Sequence, residues 1–343
     1  MTSFLRSDRS RAVAIWLLAV AALVLAMVVV GGTTRLTGSG LSITQWKPLS
    51  GILPPLSEAD WKQAFAGYQA IPQFRFVNPT MTLDQFRVIY WWEWSHRALA
   101  RILGVALIAP FIWFAVRQEI PRRLTWQFCA VFGLCALEPL VGWWMVASGL
   151  SERVSVAPER LTLHLGIAVA LLGALLWTAF DAWAGSARQT LPSPWGGRAL
   201  GLVALVYLQI LLGALVAGNG AGLVYNDWPL FAGRLLPGDY AGADLWATIA
   251  HSQGAVQLHH RLLAYLLTLV ALLVGVGASR ARYLPAASKS LGVAVAVLVL
   301  MQATLGIVTL MMRAPIGLGL AHQLLAALLF SLTVGFAWRV RRA

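Results

Sequence analysis

Two short stretches carry the residue types best able to do chemistry. The first is Trp91-Trp92-Glu93-Trp94-Ser95-His96-Arg97, and Val256-Gln257-Leu258-His259-His260-Arg261 is a near-copy of it. Each sets a histidine beside an arginine near the start of a long apolar segment. They differ at one position that matters, where Glu93 is matched by Gln257. Glu93 and His96 are three residues apart, so on a helix both project from nearly one face. A carboxylate beside a redox group can hold or move a proton, and a carboxamide cannot. The first copy therefore reads as built for chemistry and the second for electron transfer. The blander role for Glu93 is an ion pair with Arg97 or Arg101.

The chain has six histidines: His96, His164, His251, His259, His260 and His322. One falls near the same end of each even-numbered apolar segment, at matched depth. Ionisable side chains inside spans are costly, and a matched set points to a function. Two histidines on facing helices of a four-helix bundle suit axial ligation of a haem. Zinc fits less well, because no cysteine or third histidine is placed to complete its shell. The pairs are then His96 with His164 and His260 with His322. His259 lies about 100° round the helix from His260 and faces elsewhere, as packing or support. His251 sits at the rim of the sixth segment and reads as interfacial. Arg97 and Arg261 could meet haem propionates or make a helix contact. Glu138, next to Pro139, is either on a proton path or a hydrogen-bond partner within the bundle.

Positioning these residues falls to a chain of 343 residues that is 59% hydrophobic and only 11% charged. A soluble chain would carry roughly 25% charged residues. Stretches long enough to span a bilayer fall at roughly 12–31, 88–116, 124–147, 159–181, 198–217, 247–278, 288–312 and 317–338. They are too long and too uniformly apolar for barrel strands. The expectation is an all-α polytopic membrane protein with eight transmembrane helices. The net charge of +13 does not imply nucleic acid. Arg6, Arg9, Arg11, Arg117, Arg122, Arg123, Arg188, Arg198, Arg280, Arg282, Lys289, Arg339, Arg341 and Arg342 gather in short loops and tails on one side. That side is cytoplasmic by the positive-inside rule, with both termini there. The N-terminal segment is expected to be a retained span and not a cleaved signal. The only two cysteines, Cys129 and Cys135, point to different faces of the third segment and are expected to be free.

The run Gly31-Gly32-Thr33-Thr34-Arg35-Leu36-Thr37-Gly38-Ser39-Gly40-Leu41-Ser42 is expected to be an irregular turn at the outer surface. It opens the longest loop, about 32 to 81. In that loop Ser57 and Asp60 form a capping box ahead of Trp61, Phe65 and Tyr68, predicting a short helix over the site. Thr82 and Gln85 form another, starting the second span. The segment 182–197, with Pro192, Pro194, Gly196 and Gly197, divides the chain. An N-terminal bundle, residues 1–190, precedes a C-terminal one, residues 191–343. The halves repeat. Gly222-Leu223 and Trp228-Pro229 echo Gly40-Leu41, Trp46 and Pro48; Gly306 echoes Gly142; His322 echoes His164. Four helices per half make the repeat parallel, two tandem four-helix bundles related by a pseudo-twofold along the membrane normal.

The sequence resembles the haem A synthase family over nearly its whole length. The resemblance rests on Gly31 to Thr37 with Gly40-Leu41-Ser42, Glu93-Trp94-Ser95-His96-Arg97, His164, His260-Arg261 and His322-Gln323. It implies oxidation of a methyl group of haem O to the formyl group of haem A, the cofactor of aa3-type terminal oxidases. It implies successive hydroxylations, with the resulting diol losing water. It places haem O between His96 and His164 in the N-terminal half, with Glu93 as the catalytic carboxylate. A permanent haem b lies between His260 and His322 in the C-terminal half. The implied partners are haem O synthase, an electron acceptor and the lipid bilayer, with no nucleic acid. The implied location is a bacterial cytoplasmic (inner) membrane. Some members carry a cysteine pair in an outer loop, and this sequence resembles the branch without it, which argues against thiol-based electron uptake. The alternative is a two-haem b-type membrane cytochrome that only transfers electrons.

Overall fold

The computed structural model describes residues 10–47, 50–185 and 193–341. Arg6, Arg9, Pro48, Arg188, Pro192, Arg342 and the 190/191 boundary lie outside the described residues. Among those described, eight helices are long and apolar enough to cross a membrane. They are α1 (Arg11–Leu36), α2 (Leu83–Val116), α3 (Thr125–Ala147), α4 (Pro158–Ala184), α5 (Pro194–Gly218), α6 (Gln253–Arg280), α7 (Ala286–Met311) and α8 (Ile316–Val340). No named strand occurs among the described residues. The chain is all-α, a multi-pass membrane protein.

Local chemistry sets most boundaries. The Thr82 side chain accepts from the backbone N–H of Gln85, and the Gln85 side chain accepts from that of Thr82, which starts α2. The same box at Ser57 and Asp60 starts a short helix, Glu58–Gln69. Ser193 caps α5, and Pro194 follows at a position where its missing N–H costs nothing. Two expectations are corrected. The run Gly31 to Leu36 is helical and completes α1. Thr33 and Thr34 hydroxyls bond the carbonyls of Val29 and Val30, at 3.0 and 2.9 Å, and Thr37 hydroxyl bonds Thr33 at 2.8 Å. The sixth segment is broken: Leu245–Ala250 is a separate short helix. Ser252 then caps α6 by accepting from Ala255. His251 therefore ends the short helix and is not on α6.

The most buried spans are α1, α4 and α8, whose apolar stretches are 39%, 44% and 39% buried, whereas those of α2 and α3 are 11% and 6% buried. The helices α5 to α8 close a ring, each packed on the next and α8 back on α5. In the first half α1 packs on α2 and α4, and α3 on α4, but among the described residues the backbones of α2 and α3 do not approach closely, and those helices meet through aromatic side chains. Both halves join through α1 with α8, α4 with α5 and α4 with α8. On the side bearing the termini, Asp181 of α4 gathers the bundle. It accepts from Gln127 Nε2 at 2.7 Å, Trp338 Nε1 at 2.9 Å and Arg341.

On the opposite side the loop of the first half folds over α2. Trp61, Tyr68, Ile71, Phe86, Ile89 and Tyr90 form a second apolar cluster with Leu41 and Val156. Tyr68 donates to Gln73 at 3.0 Å, and Gln73 donates to the Gly38 carbonyl at 3.1 Å.

Candidate active site

Glu93 is 3% exposed beneath this loop. Its Oε2 accepts from the Ser42 hydroxyl and the Ile43 backbone N–H, both at 2.8 Å. Its Oε1 accepts from Arg97 at 2.6 Å. Arg97 also donates to the carbonyls of Ile43 at 2.9 Å and Gln45 at 3.3 Å. The residues following the Gly/Thr run thus hang from one turn of α2. Arg97 is the ion-pair partner, while Arg101 reaches the Gly51 carbonyl at 3.1 Å.

The second half has the same clasp with different wiring. Gln257 is 2% exposed. Its amide donates to the carbonyls of Ala221 at 2.9 Å and Tyr225 at 3.2 Å, and its Oε1 accepts from Arg261 at 2.9 Å. Arg261 donates further to Leu230 at 2.8 Å and Asp227 at 2.9 Å, and its guanidinium lies over Phe231. Both arginines are thus engaged by loop carbonyls, and any haem propionate would share them.

The four histidines each lie against a glycine of the preceding helix. A Cβ on Gly31 would come 3.2 Å from His96 Nε2; on Gly142, 3.2 Å from His164 Cε1; on Gly213, 3.1 Å from His260 Cε1; on Gly306, 2.8 Å from His322 Cε1. The glycines let each imidazole sit back against its neighbour helix. His96 and His164 are close enough for a charge on one to act on the other, as are His260 and His322.

One turn before three of the four glycines stands a residue that meets the ring. Glu138 Oε2 is 2.8 Å from His164 Nδ1. Gln209 Nε2 is 3.1 Å from His260 Nδ1 and 3.0 Å from the His260 carbonyl. Gln302 Nε2 is 3.1 Å from His322 Nδ1 and 3.0 Å from the His322 carbonyl. Met27 holds that place before Gly31. The two glutamines escaped the sequence reading, although their four-residue spacing to Gly213 and Gly306 matches that of Glu138 to Gly142. Glu138 thus approaches a site histidine from the neighbouring helix, within ion-pair distance. His259 turns away from His260 and meets Tyr240 hydroxyl at 3.1 Å. His251 Nε2 is 3.9 Å from Glu159.

These donors fit a haem in each half. Buried Glu138 Oε1, Gln209 Oε1 and Gln302 Oε1 have no hydrogen-bond partner among the described residues. The glycine cradles would be filled by any Cβ. Among the described residues no group of three or more His, Cys, Asp or Glu could hold a bare metal ion. Cys129 and Cys135 are free.

The chain matches the family model for COX15-CtaA, cytochrome oxidase assembly protein, over residues 14–334. It is 60% identical over 342 residues, covering 100% of both chains, to a protein of Caulobacter vibrioides named heme A synthase. Proteins of the same name from Maricaulis maris and Parvibaculum lavamentivorans are 46% and 45% identical, covering 98% and 96% of this chain and 98% and 94% of theirs. With the histidine pairs and their glycine cradles in view, the chain belongs to the COX15-CtaA family of cytochrome oxidase assembly proteins.

Proposed function

We propose that the protein converts haem O to haem A in a bacterial inner membrane. The observation that carries this is whole-length relatedness to proteins named heme A synthase. The geometry supports a division of labour between the halves, which we take to be tandem bundles related by a pseudo-twofold along the membrane normal. Haem O is held between His96 and His164, with its reacting methyl group towards Glu93. His260 and His322 would hold a haem b, which would supply electron transfer to an acceptor. The termini side, rich in arginine, faces the cytoplasm.

The substrate methyl is hydroxylated twice, each step taking its oxygen from water and releasing two protons and two electrons, the electrons to the acceptor, and the resulting diol loses water to give the aldehyde. Glu93 is the group able to take up a released proton, because Ser42, Ile43 and Arg97 hold its carboxylate in one orientation. Glu138 orients His164, and Gln209 and Gln302 orient His260 and His322. Arg97 and Arg261 hold their loops over the sites and can share donors with propionates. The folded loop buries Glu93 and shields the first site from bulk solvent.

The test is production of haem A by this chain in a host that supplies haem O and makes no haem A, with extracted haems identified by mass. Haem A or its hydroxylated precursor is expected. Unchanged haem O with haem b, from membrane-inserted protein and a competent electron acceptor, would instead indicate an electron-carrying cytochrome. Haem O synthase is the neighbour from which substrate would come.

A further inference from the structure

The halves differ most where α2 should meet α3. In the second half α6 and α7 pack through small residues. A Cβ on Gly275 would lie 2.7 Å from the Ala296 Cβ, and one on Gly292 2.8 Å from the Ala278 Cβ. Backbones approach this closely only where side chains are this small. The separation relating His96 to His260 also relates Gly142 to Gly306. Applied here, it sets Phe111, Phe114, Phe128 and Phe132 at the positions of Gly275, Ala278, Gly292 and Ala296. Four small residues are thus matched by four phenylalanines.

Their rings fill the space between α1, α2 and α3 near the termini side. Phe111 is 4.6 Å from Phe132 and 5.3 Å from Phe128, centroid to centroid. Trp16 of α1 is 5.6 Å from Phe114 and 5.9 Å from Phe128. This cluster joins the helices while holding their backbones apart. Towards the loop side the gap stays open. Gly104 lies on the same face of α2 as Phe111, and a Cβ there would meet nothing within 4 Å. The buried residues of α3 are Phe128 and Val131, whereas those of α7 extend from Ser288 to Thr309.

We propose that the gap between α2 and α3 is a lateral opening through which haem O passes between the bilayer and the site at His96 and His164. This rests on the first half being the substrate half. One wall is α2, which carries Glu93 and His96. The other is α3, which carries Glu138 and Gly142 against His164. Anything moving through the gap arrives between the two histidines. On the face of α3 that continues from Phe128 and Phe132, the next residues are Cys135 and Ala136, neither charged. That lining suits an apolar macrocycle dissolved in lipid. A substrate that enters and a product that leaves need an open half, and a resident haem needs a closed one. The α6/α7 seam closes the same route in the second half.

The test bridges the gap. In full-length protein in lipid vesicles, with Cys129→Ala and Cys135→Ala, Gly104→Cys and Ala136→Cys are linked by a bifunctional methanethiosulfonate. Haem O is the probe, and haem O and haem b per chain are counted by extraction and mass. Bridged before loading, the protein is expected to take up no haem O. Bridged after loading, it is expected to keep haem O against washing with empty vesicles. Reductant should reverse both effects. A bridge between Thr268→Cys and Leu300→Cys, at the matching places on α6 and α7, should change neither, and retained haem b reports intact folding. Uptake and release of haem O by the bridged α2/α3 protein at the unbridged rate would overturn the proposal. If unbridged protein with intact haem b takes up no haem O, the substrate reading itself fails, and the opening falls with it.

Discussion

The clasps on α2 and α6 are wired with opposite polarity. Glu93 accepts from Ser42, Ile43 and Arg97, while Gln257 donates to Ala221 and Tyr225 and accepts only from Arg261. The arginine is common to both, so it belongs to the scaffold. The residue one turn earlier decides whether the site contains a carboxylate. The same substitution recurs below: Glu138 meets His164 where Gln302 meets His322. The first half has carboxylates at the clasp and against His164, and the second has carboxamides at the same places. The loop backbones have adapted, offering N–H and hydroxyl donors to the acid and carbonyls to the amide. Neither side chain can be exchanged without leaving like groups facing each other.

The largest effect separates the halves outright. His96→Ala or His164→Ala should abolish haem A formation and haem O binding while leaving haem b in place. His260→Ala or His322→Ala should remove haem b first. Extracted haem per chain reads this, and loss of both haems from a single variant would break the division.

Exchanging the clasp residues comes next. Gln257→Glu would set a carboxylate against two carbonyl oxygens, an unsatisfied burial costing roughly 1–3 kcal/mol or more. Proteolysis of residues 219–252 should accelerate. Glu93→Gln should stop haem A formation and also loosen its loop. Ser42→Ala separates the two consequences, because it removes one donor, about 1 kcal/mol, and keeps the carboxylate. Retained activity in Ser42→Ala beside none in Glu93→Gln would tie activity to the charge.

Glycine cradles give a smaller, graded difference. Gly306→Ala should cost more than Gly142→Ala, because its Cβ would meet the histidine at 2.8 Å against 3.2 Å. Overpacking of this kind costs roughly 1–3 kcal/mol. Thermal unfolding midpoints with haem bound would order the two variants, and equal midpoints would show that the rings move aside.

The smallest effect is confined to the first loop. Ser57→Ala should cost about 1 kcal/mol of local helix stability. Hydrogen bonds from Ser57 hold the Asp60 carboxyl below its usual range. Its contribution is therefore present above the ordinary carboxylate pKa and is lost as pH falls through the lowered value. Amide protection in Glu58–Gln69, relative to the intrinsic exchange rate at each pH, should fall on acidification in the natural chain and change less in Ser57→Ala.

What could be read without coordinates was local. Eight apolar runs of spanning length, the Ser57/Asp60 and Thr82/Gln85 boxes, and the repeat that pairs Glu93 with Gln257 depend on composition and on spacings within a few residues. Tertiary structure decided whatever depends on what a residue meets across the bundle. Gly31 to Leu36 suggests a turn by propensity. It stays helical because Thr33 and Thr34 back-bond within α1, and because Gly31 and Gly32 sit against His96 and Gln323 with no room for a side chain. By sequence Arg97 and Arg261 are open between a propionate and a helix contact, and the fold shows both donating to loop carbonyls far along the chain. The four phenylalanines are visible in the sequence as apolar residues among many. Only packing shows them holding α2 and α3 apart, because separation between helices depends on side-chain size at the seam, and hydropathy does not record it.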